Sequence, residues 1–231
     1  MDAAQGGRPV NVLDFAQAFF SDSAHWHGYD GIPTRFAEHI QYSLEALLFA
    51  AAIGLPVGLL TGHYGRGGNA LALVATAGRA LPSFGLLVLM FIWLGLGMLP
   101  VMIPLVVLAV PPILVTTYEA VRSVDPSPVD AARGMGMSEA RVLLRVEVPV
   151  ALPLILSGLR TAAIQIVSTA TIAAYVSFGG LGRYIIDGLY QRNYEKVIGG
   201  ATLVAGLALV TLAVFWAAAR LTVSPGVRRS G

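Results

Sequence analysis

The sequence predicts an all-α integral membrane protein of about five transmembrane helices. Three observations carry that prediction. Apolar residues make up 56% of the 231 positions and charged residues 12%, against about 25% charged in ordinary soluble domains, and the mean hydropathy is +0.72. The apolar residues gather into segments of about 20 residues or more, the length a helix needs to cross a bilayer core. Lipid offers no partner to an open backbone group, so such segments cross as helices that satisfy their own hydrogen bonds.

The spans run roughly from His39 to Gly62, Asn69 to Leu94, Met98 to Val121, Val148 to Ala174 and Val197 to Leu221. Before the first lies a tail, residues 1–37, in which Val10, Leu13, Phe15, Phe19 and Phe20 are compatible with either a short interfacial helix or a loosely ordered segment. The basic start, apolar core and small-residue cleavage site of a secretion signal do not occur in that order, so the first span is read as its own targeting signal. Within that span Ala50, Gly54, Gly58 and Gly62 recur every four residues, a flat face suited to close packing against another helix of the same subunit. Pro56 is expected to bend it. Arg79, Pro82 and Ser83 interrupt the second span, and Gly95 and Gly97 blur its end. The deepest ionisable residues are Glu45, Arg79 and Arg160. A central arginine costs roughly 2.5 to 3.5 kcal/mol on insertion scales, so each arginine either snorkels, pairs with a neighbouring helix or contacts substrate. From Thr169 the fourth span runs through Thr171 and Tyr175 into Gly179, Gly180 and Gly182. Small and hydroxylated residues followed by a glycine-rich turn suit a path-lining helix and then a re-entrant or external loop.

Between the third and fourth spans lies a charged island, residues 122–147, containing Asp130-Ala131-Ala132-Arg133-Gly134-Met135-Gly136-Met137 and, nine residues after Gly136, Val146-Glu147-Val148-Pro149. This stretch resembles the "EAA" signature of the membrane subunits of binding-protein-dependent ABC importers, E-A-A, three residues, G, nine residues, I-x-L-P. The spacing is kept throughout, with Asp130, Val146 and Val148 replacing Glu, Ile and Leu. The resemblance implies the type I (MetI-like) permease fold and a short helix, a turn at Gly136 and a membrane helix starting at Pro149. Asp130 reads as a helix-start acid behind Pro126 and Pro128. Residues Asp130, Ala131, Ala132, Gly134, Met135, Gly136 and Met137 would couple to an ATPase, making the segment cytoplasmic. The amino terminus is then outside, the carboxyl terminus and its tail 223–231 inside, and 38–222 the permease domain. Arginines at 66, 122, 133, 141, 145, 220, 228 and 229 fall inside, against Arg8, Arg35, Arg183, Arg192 and Lys196 outside, in agreement with the positive-inside rule.

With Gly78-Arg79-Ala80-Leu81-Pro82-Ser83, Pro111-Pro112-Ile113-Leu114 and Val124-Asp125-Pro126, the run from Thr169 to Gly182 is similar to the osmoprotectant branch of that family. Its substrates are glycine betaine, carnitine, choline and related solutes; permeases for amino acids and other small solutes lie close by. A quaternary ammonium is held by aromatic faces. Phe84, Tyr118, Thr169, Thr171 and Tyr175 are the candidates for the path, with Gly179, Gly180 and Gly182 as an external gate. The resemblance also implies a second permease subunit (the same chain or a paralogue), two cytoplasmic ATP-binding subunits and an extracytoplasmic solute-binding protein, in a bacterial inner membrane.

No G-x-x-x-x-G-K-[ST] occurs, so ATP and Mg are expected on a partner ATPase and no cofactor or catalytic residue in this chain. There is no cysteine, which excludes disulfide and thiol chemistry. His25, His27, His39 and His63 lack the spacing of a metal site, and dispersed arginines with a net charge of +2 argue against nucleic acid. An ion-coupled secondary carrier using Glu45, Asp187 or an arginine is the rival from another class.

Overall fold

The computed structural model describes residues 11–176 and 179–222, apart from the side chain of Arg79. Along the chain the helices are α1 (Val12–Ser21), α2 (Ile32–Tyr64), α3 (Gly68–Ala80), α4 (Ser83–Leu94), α5 (Leu99–Arg122), α6 (Pro126–Gly134), α7 (Glu139–Val142), α8 (Val148–Ala170), α9 (Gly182–Gln191) and α10 (Tyr194–Thr222). A π-helical turn, Leu143–Glu147, joins α7 to α8, and a 3-10 turn, Thr171–Val176, prolongs α8. No strand occurs among the described residues.

Four of these stretches are long and apolar enough to cross a membrane: Ile32–Tyr64, Leu99–Arg122, Glu139–Val176 and Tyr194–Thr222. The second expected span is broken. Gly68–Gly78 and Ser83–Leu94 meet at 84°. Pro82 explains the break, because it has no N–H to give and forces the residue before it out of the helical region; Leu81 is extended, with φ −70° and ψ 120°.

The glycine stripe sets the centre of the bundle. A Cβ at Gly54 would lie 2.9 Å from Ile113 Cγ2, one at Gly58 2.7 Å from Thr117 Cβ and one at Gly62 2.9 Å from Val121 Cβ. The matched increments show α2 and α5 running in the same direction, backbone against backbone. α8 runs the other way along both, and Ala46, Ala50, Leu105, Ala109, Ile113, Ala162 and Ile166 form the shared core. α10 closes the outside of α2 and α8 through Leu207, which packs with Val167 and Leu181. Gly58→Val places two methyl groups where Thr117 already sits. We expect a loss of about 1 to 3 kcal/mol, the range for overpacking, read as a lower midpoint of thermal unfolding in detergent.

α5 keeps its helix through Pro104, Pro111 and Pro112 because neighbours take up the groups that proline leaves open. Pro112 cannot donate to Leu108, and Gln165 Nε2 of α8 donates to that carbonyl instead at 3.2 Å. At the end of α8 the same logic holds. Thr171 N turns to Thr169 O, and His39 Nε2 of α2 takes the freed Val167 carbonyl at 3.0 Å.

The tail carries a helix with a definite seat. Asn11 caps α1 by accepting from Leu13 N at 3.1 Å, and Phe19 is fully buried between Tyr184 and Gly199. α2 begins at Ile32, ahead of the His39 start read from the sequence.

Candidate functional site

The charged island folds as a helix, a turn and a second helix. Asp125, rather than Asp130, is the residue that starts α6: its carboxylate accepts from Ser127 N at 2.8 Å, with Pro126 in the first turn. Asp130 lies further along, exposed, 3.5 Å from Arg133 Nη1. The expectation of Asp130 as a helix-start acid is corrected accordingly; a prolyl ring needs no N–H partner at the first position, so the cap moves one residue ahead of it. Gly136, at φ +83°, makes the turn, and its N–H reaches back to Arg133 O. Pro149 stands in the first turn of α8, as expected, but that helix does not start afresh there: the π turn Leu143–Glu147 runs into it, so the span is continuous from Glu139.

The two faces of this loop differ. Val129, Ala132 and Val142 are buried together, with Met137 against them. Asp130, Ala131, Gly134, Met135 and Gly136 are exposed, Met135 to 78%. Of the residues read as ATPase-coupling, Ala132 and Met137 therefore hold the loop to its own chain and the other five present a surface. Arg133 Nε and Nη2 clamp Glu139 at 3.1 and 3.0 Å, and those hydrogen bonds raise the guanidinium pKa above its ordinary value.

At mid-height, α3, α4, α5 and α8 enclose a cavity of about 470 Å³. Its polar lining is Ser83, Thr116, Glu119, Thr161, Gln165 and Thr169. Glu119 is the one ionisable side chain among the described residues of the lining, and its carboxylate has no partner among them. The cavity sits where proline loosens the helices. Leu81 and Ser83 flank the α3–α4 break and Pro111 and Pro112 line the opposite wall. One residue past Ser83, the ring of Phe84 meets Tyr175 edge to face, centroids 4.9 Å apart at 78°, with 43% and 49% of the two residues exposed. Glu119 is in the last turn of α5, while the aromatic pair, which is not part of the lining, follows the last turn of the antiparallel α8 and so lies past the other end of the cavity.

The structure thus brings Phe84 and Tyr175 together and places Thr169 in the cavity wall. Tyr118 lies elsewhere, its hydroxyl against Gly68 at the start of α3. Thr171 donates to Ser168 O at 2.6 Å, and its carbonyl lies against Gly182 too closely for any side chain there. Arg160 donates to Ser157 Oγ on its own helix at 3.1 Å and is not among the lining residues. Glu119 and Gln165 escaped the sequence reading. Glu119 reads there as an acid near a helix end, while Gln165 could have been found from the unpaired carbonyl that Pro112 creates.

At the far end of the bundle the glycine turn is held from the first span. Glu38 Oε2 accepts from Gly180 N at 2.8 Å, and Gly180 has φ +87°. His39 Nδ1 accepts from Leu181 N at 3.3 Å while Nε2 faces a carbonyl, which assigns the neutral imidazole with its proton on Nε2. Arg35 pairs with both Asp30 and Glu38. Tyr184, on α9, donates to Asp30 O at 2.6 Å, and burial pushes its hydroxyl pKa up to about 12. Ser177 and Phe178 lie outside the described residues.

Comparison with known proteins converges on one family. Residues 54–229 match the family described as binding-protein-dependent transport system inner membrane component. The chain is 32% identical over 198 residues to the carnitine transport permease protein OpuCB of Listeria monocytogenes, covering 86% of this chain and 88% of that protein. It is 34% identical over 192 residues to the choline transport system permease protein OpuBB of Bacillus subtilis (strain 168), covering 83% and 88%. The fold matches that of the MetNI methionine ABC transporter in inward-facing conformations, with a TM-score of 0.71 at 22% identity over 81% of this chain and 94% of that one. The broken span, the exposed helix-turn-helix loop and the bundle around α2 and α5 are therefore those of a permease, and the chain belongs to the inner-membrane components of binding-protein-dependent ABC transport systems, multi-pass subunits that work with an ATPase and a solute-binding protein.

Proposed function

We propose that this chain forms half of the translocation path of an ATP-driven importer for quaternary ammonium osmoprotectants, glycine betaine, carnitine and choline among them. The observation that carries the reading is the cavity, whose one ionisable lining group, Glu119, has no partner among the described residues, with the Phe84–Tyr175 pair past its other end. A quaternary ammonium has no hydrogen to donate. It is attracted to aromatic faces by about 0.5 to 2 kcal/mol per contact and to a carboxylate by charge alone. Hydroxyl and amide groups between the two suit the carboxylate or hydroxyl end of the same solutes. The names of the relatives, carnitine and choline permeases, agree with this chemistry.

The unit is a dimer of permease subunits, of this chain or with a paralogue, bound to two ATPases that carry ATP and Mg on the cytoplasmic side and served by a solute-binding protein on the other. The exposed face of Asp130, Ala131, Gly134, Met135 and Gly136 is cytoplasmic and seats on the ATPase. Closure of the ATPase dimer moves α6 and, through the turn at Gly136, the base of α8. The cavity then opens toward the glycine turn, residues 179–182, which serves as the external gate and takes solute from the binding protein. ATP hydrolysis resets the cycle.

In a host stripped of its own osmoprotectant uptake systems, the chain produced with its ATPase and binding protein should restore growth at high salt when choline, carnitine or glycine betaine is supplied. Restoration by none of them, with ATP-dependent uptake of an amino acid in their place, would contradict the substrate assignment and keep the transport role.

A further inference from the structure

The first span ends against the charged loop in a way the sequence did not suggest. His63, in the last turn of α2, has a side chain only 2% exposed, with a carboxylate at each ring nitrogen. Nδ1 is 2.6 Å from Glu147 Oε2, and Nε2 is 2.9 Å from Glu139 Oε2. The second approach is off the N–H axis and acts as a charge contact rather than an aligned hydrogen bond. Carboxylates only accept, so the form that suits both contacts is the imidazolium, with an N–H on each nitrogen. Glu147 is 5% exposed, and a buried carboxylate left alone is costly. Glu139 is shared: the oxygen that faces His63 also accepts from Arg133 Nη2 at 3.0 Å. The result is one chain of charges, Glu147, His63, Glu139 and Arg133, running from the π turn through the end of α2 to α6. Tyr64 packs its ring beside the imidazole, centroids 5.0 Å apart.

We infer that His63 is a positioning residue for transport: it fastens the first span to the charged loop so that displacement of α6 is transmitted to α2 as well as to α8. α2 is the helix through which such a displacement matters most. It packs along the second half of α5 through the glycine stripe, from Ile113 to Val121, and at its other end Glu38 and His39 hold the glycine turn. A motion that enters at Arg133 reaches the opposite end of the bundle along one rigid helix. Without His63 the loop is joined to α5 and α8 by the chain itself and to α2 by apolar packing alone, of Leu55 and Leu59, with no polar fastening among the described residues. The inference rests on the reading that the loop couples to an ATPase.

The test is solute moved per ATP hydrolysed by the intact complex in proteoliposomes. His63→Gln keeps an N–H donor and loses the charge. It should lower solute per ATP at least fivefold while ATP hydrolysis continues, and His63→Lys, which restores a positive charge, should recover part of the loss. Glu139→Gln, at a half-exposed position that tolerates the change, should lower the ratio by a similar factor and add little in the His63→Gln background, because contacting residues in one network couple rather than add. An unchanged ratio in His63→Gln overturns the inference. If that variant does not assemble, an unchanged ratio in Glu139→Gln overturns it. A wild-type complex that hydrolyses ATP without moving solute would overturn the underlying coupling reading as well, so the two failures are told apart by the wild-type arm.

Discussion

Glu119→Gln is expected to lower choline uptake about tenfold with only a slight effect on glycine betaine. The argument turns on net charge. Glu119 is the one carboxylate among the described residues that line the cavity, and it has no cation of its own there. Choline is a cation throughout, whereas glycine betaine carries its own carboxylate. Removing Glu119's charge withdraws an attraction that choline feels in full and the zwitterion feels only as a difference between its two ends. A tenfold change corresponds to about 1.4 kcal/mol. That is modest for two opposite charges a few ångströms apart at the effective dielectric of a partly wet site, and the exposure of Glu119 is the reason for choosing the lower figure. The measurement is initial uptake of each radiolabelled solute at equal protein levels. Equal loss for both would assign Glu119 to the structure of the path rather than to selection by charge.

Gly136→Val should abolish coupling, whereas Gly136→Asn should leave most of it. A Cβ at Gly136 meets nothing within 4 Å, so space within the chain does not forbid a side chain. Backbone conformation does, because φ is +83°. Asparagine visits the left-handed region at small cost, and a β-branched residue does so at about 1 to 3 kcal/mol of strain. Valine would relieve that strain by reopening the turn, and the Arg133–Glu139 clamp and the Met137 packing depend on the turn. We expect uptake more than tenfold down in Val and within about twofold of wild type in Asn, with complex assembly followed by co-purification of the ATPase. Asn and Val are close in size, so equal loss in both would mean that bulk against the ATPase surface, and not the shape of the turn, makes glycine necessary.

The sequence disclosed what depends on periodicity and left hidden what depends on distance along the chain. A four-residue repeat of small side chains is a property of one helix face, and Ala50, Gly54, Gly58 and Gly62 lie on α5 as that repeat requires. Pro82 marked where the second span breaks, since a missing N–H is a local fact; the 84° between its halves is set by packing against α5 and was not legible. Pro149 marked the first turn of α8, whereas the π turn that carries the helix back to Glu139 has no sequence mark. Phe84 and Tyr175 were singled out separately for adjoining chain breaks, and the structure places their rings in contact. Tyr118, a path candidate with no such break beside it, points instead at Gly68. His63 and Glu147 are 84 residues apart. Read singly, one is a polar residue at a helix end and the other a filler inside a spacing motif. The single clue was an acid at the base of an apolar helix, which requires a partner.

The most direct measurement is ATP-dependent uptake by the purified complex in proteoliposomes, with ATP inside the vesicles, the solute-binding protein outside, and choline, carnitine, glycine betaine and methionine offered in turn. The account predicts that this chain co-purifies with an ATP-binding subunit, that one or more of the three quaternary ammonium solutes accumulates against its gradient, and that methionine does not. Accumulation driven by an ion gradient without ATP, or of methionine in place of all three, would contradict it.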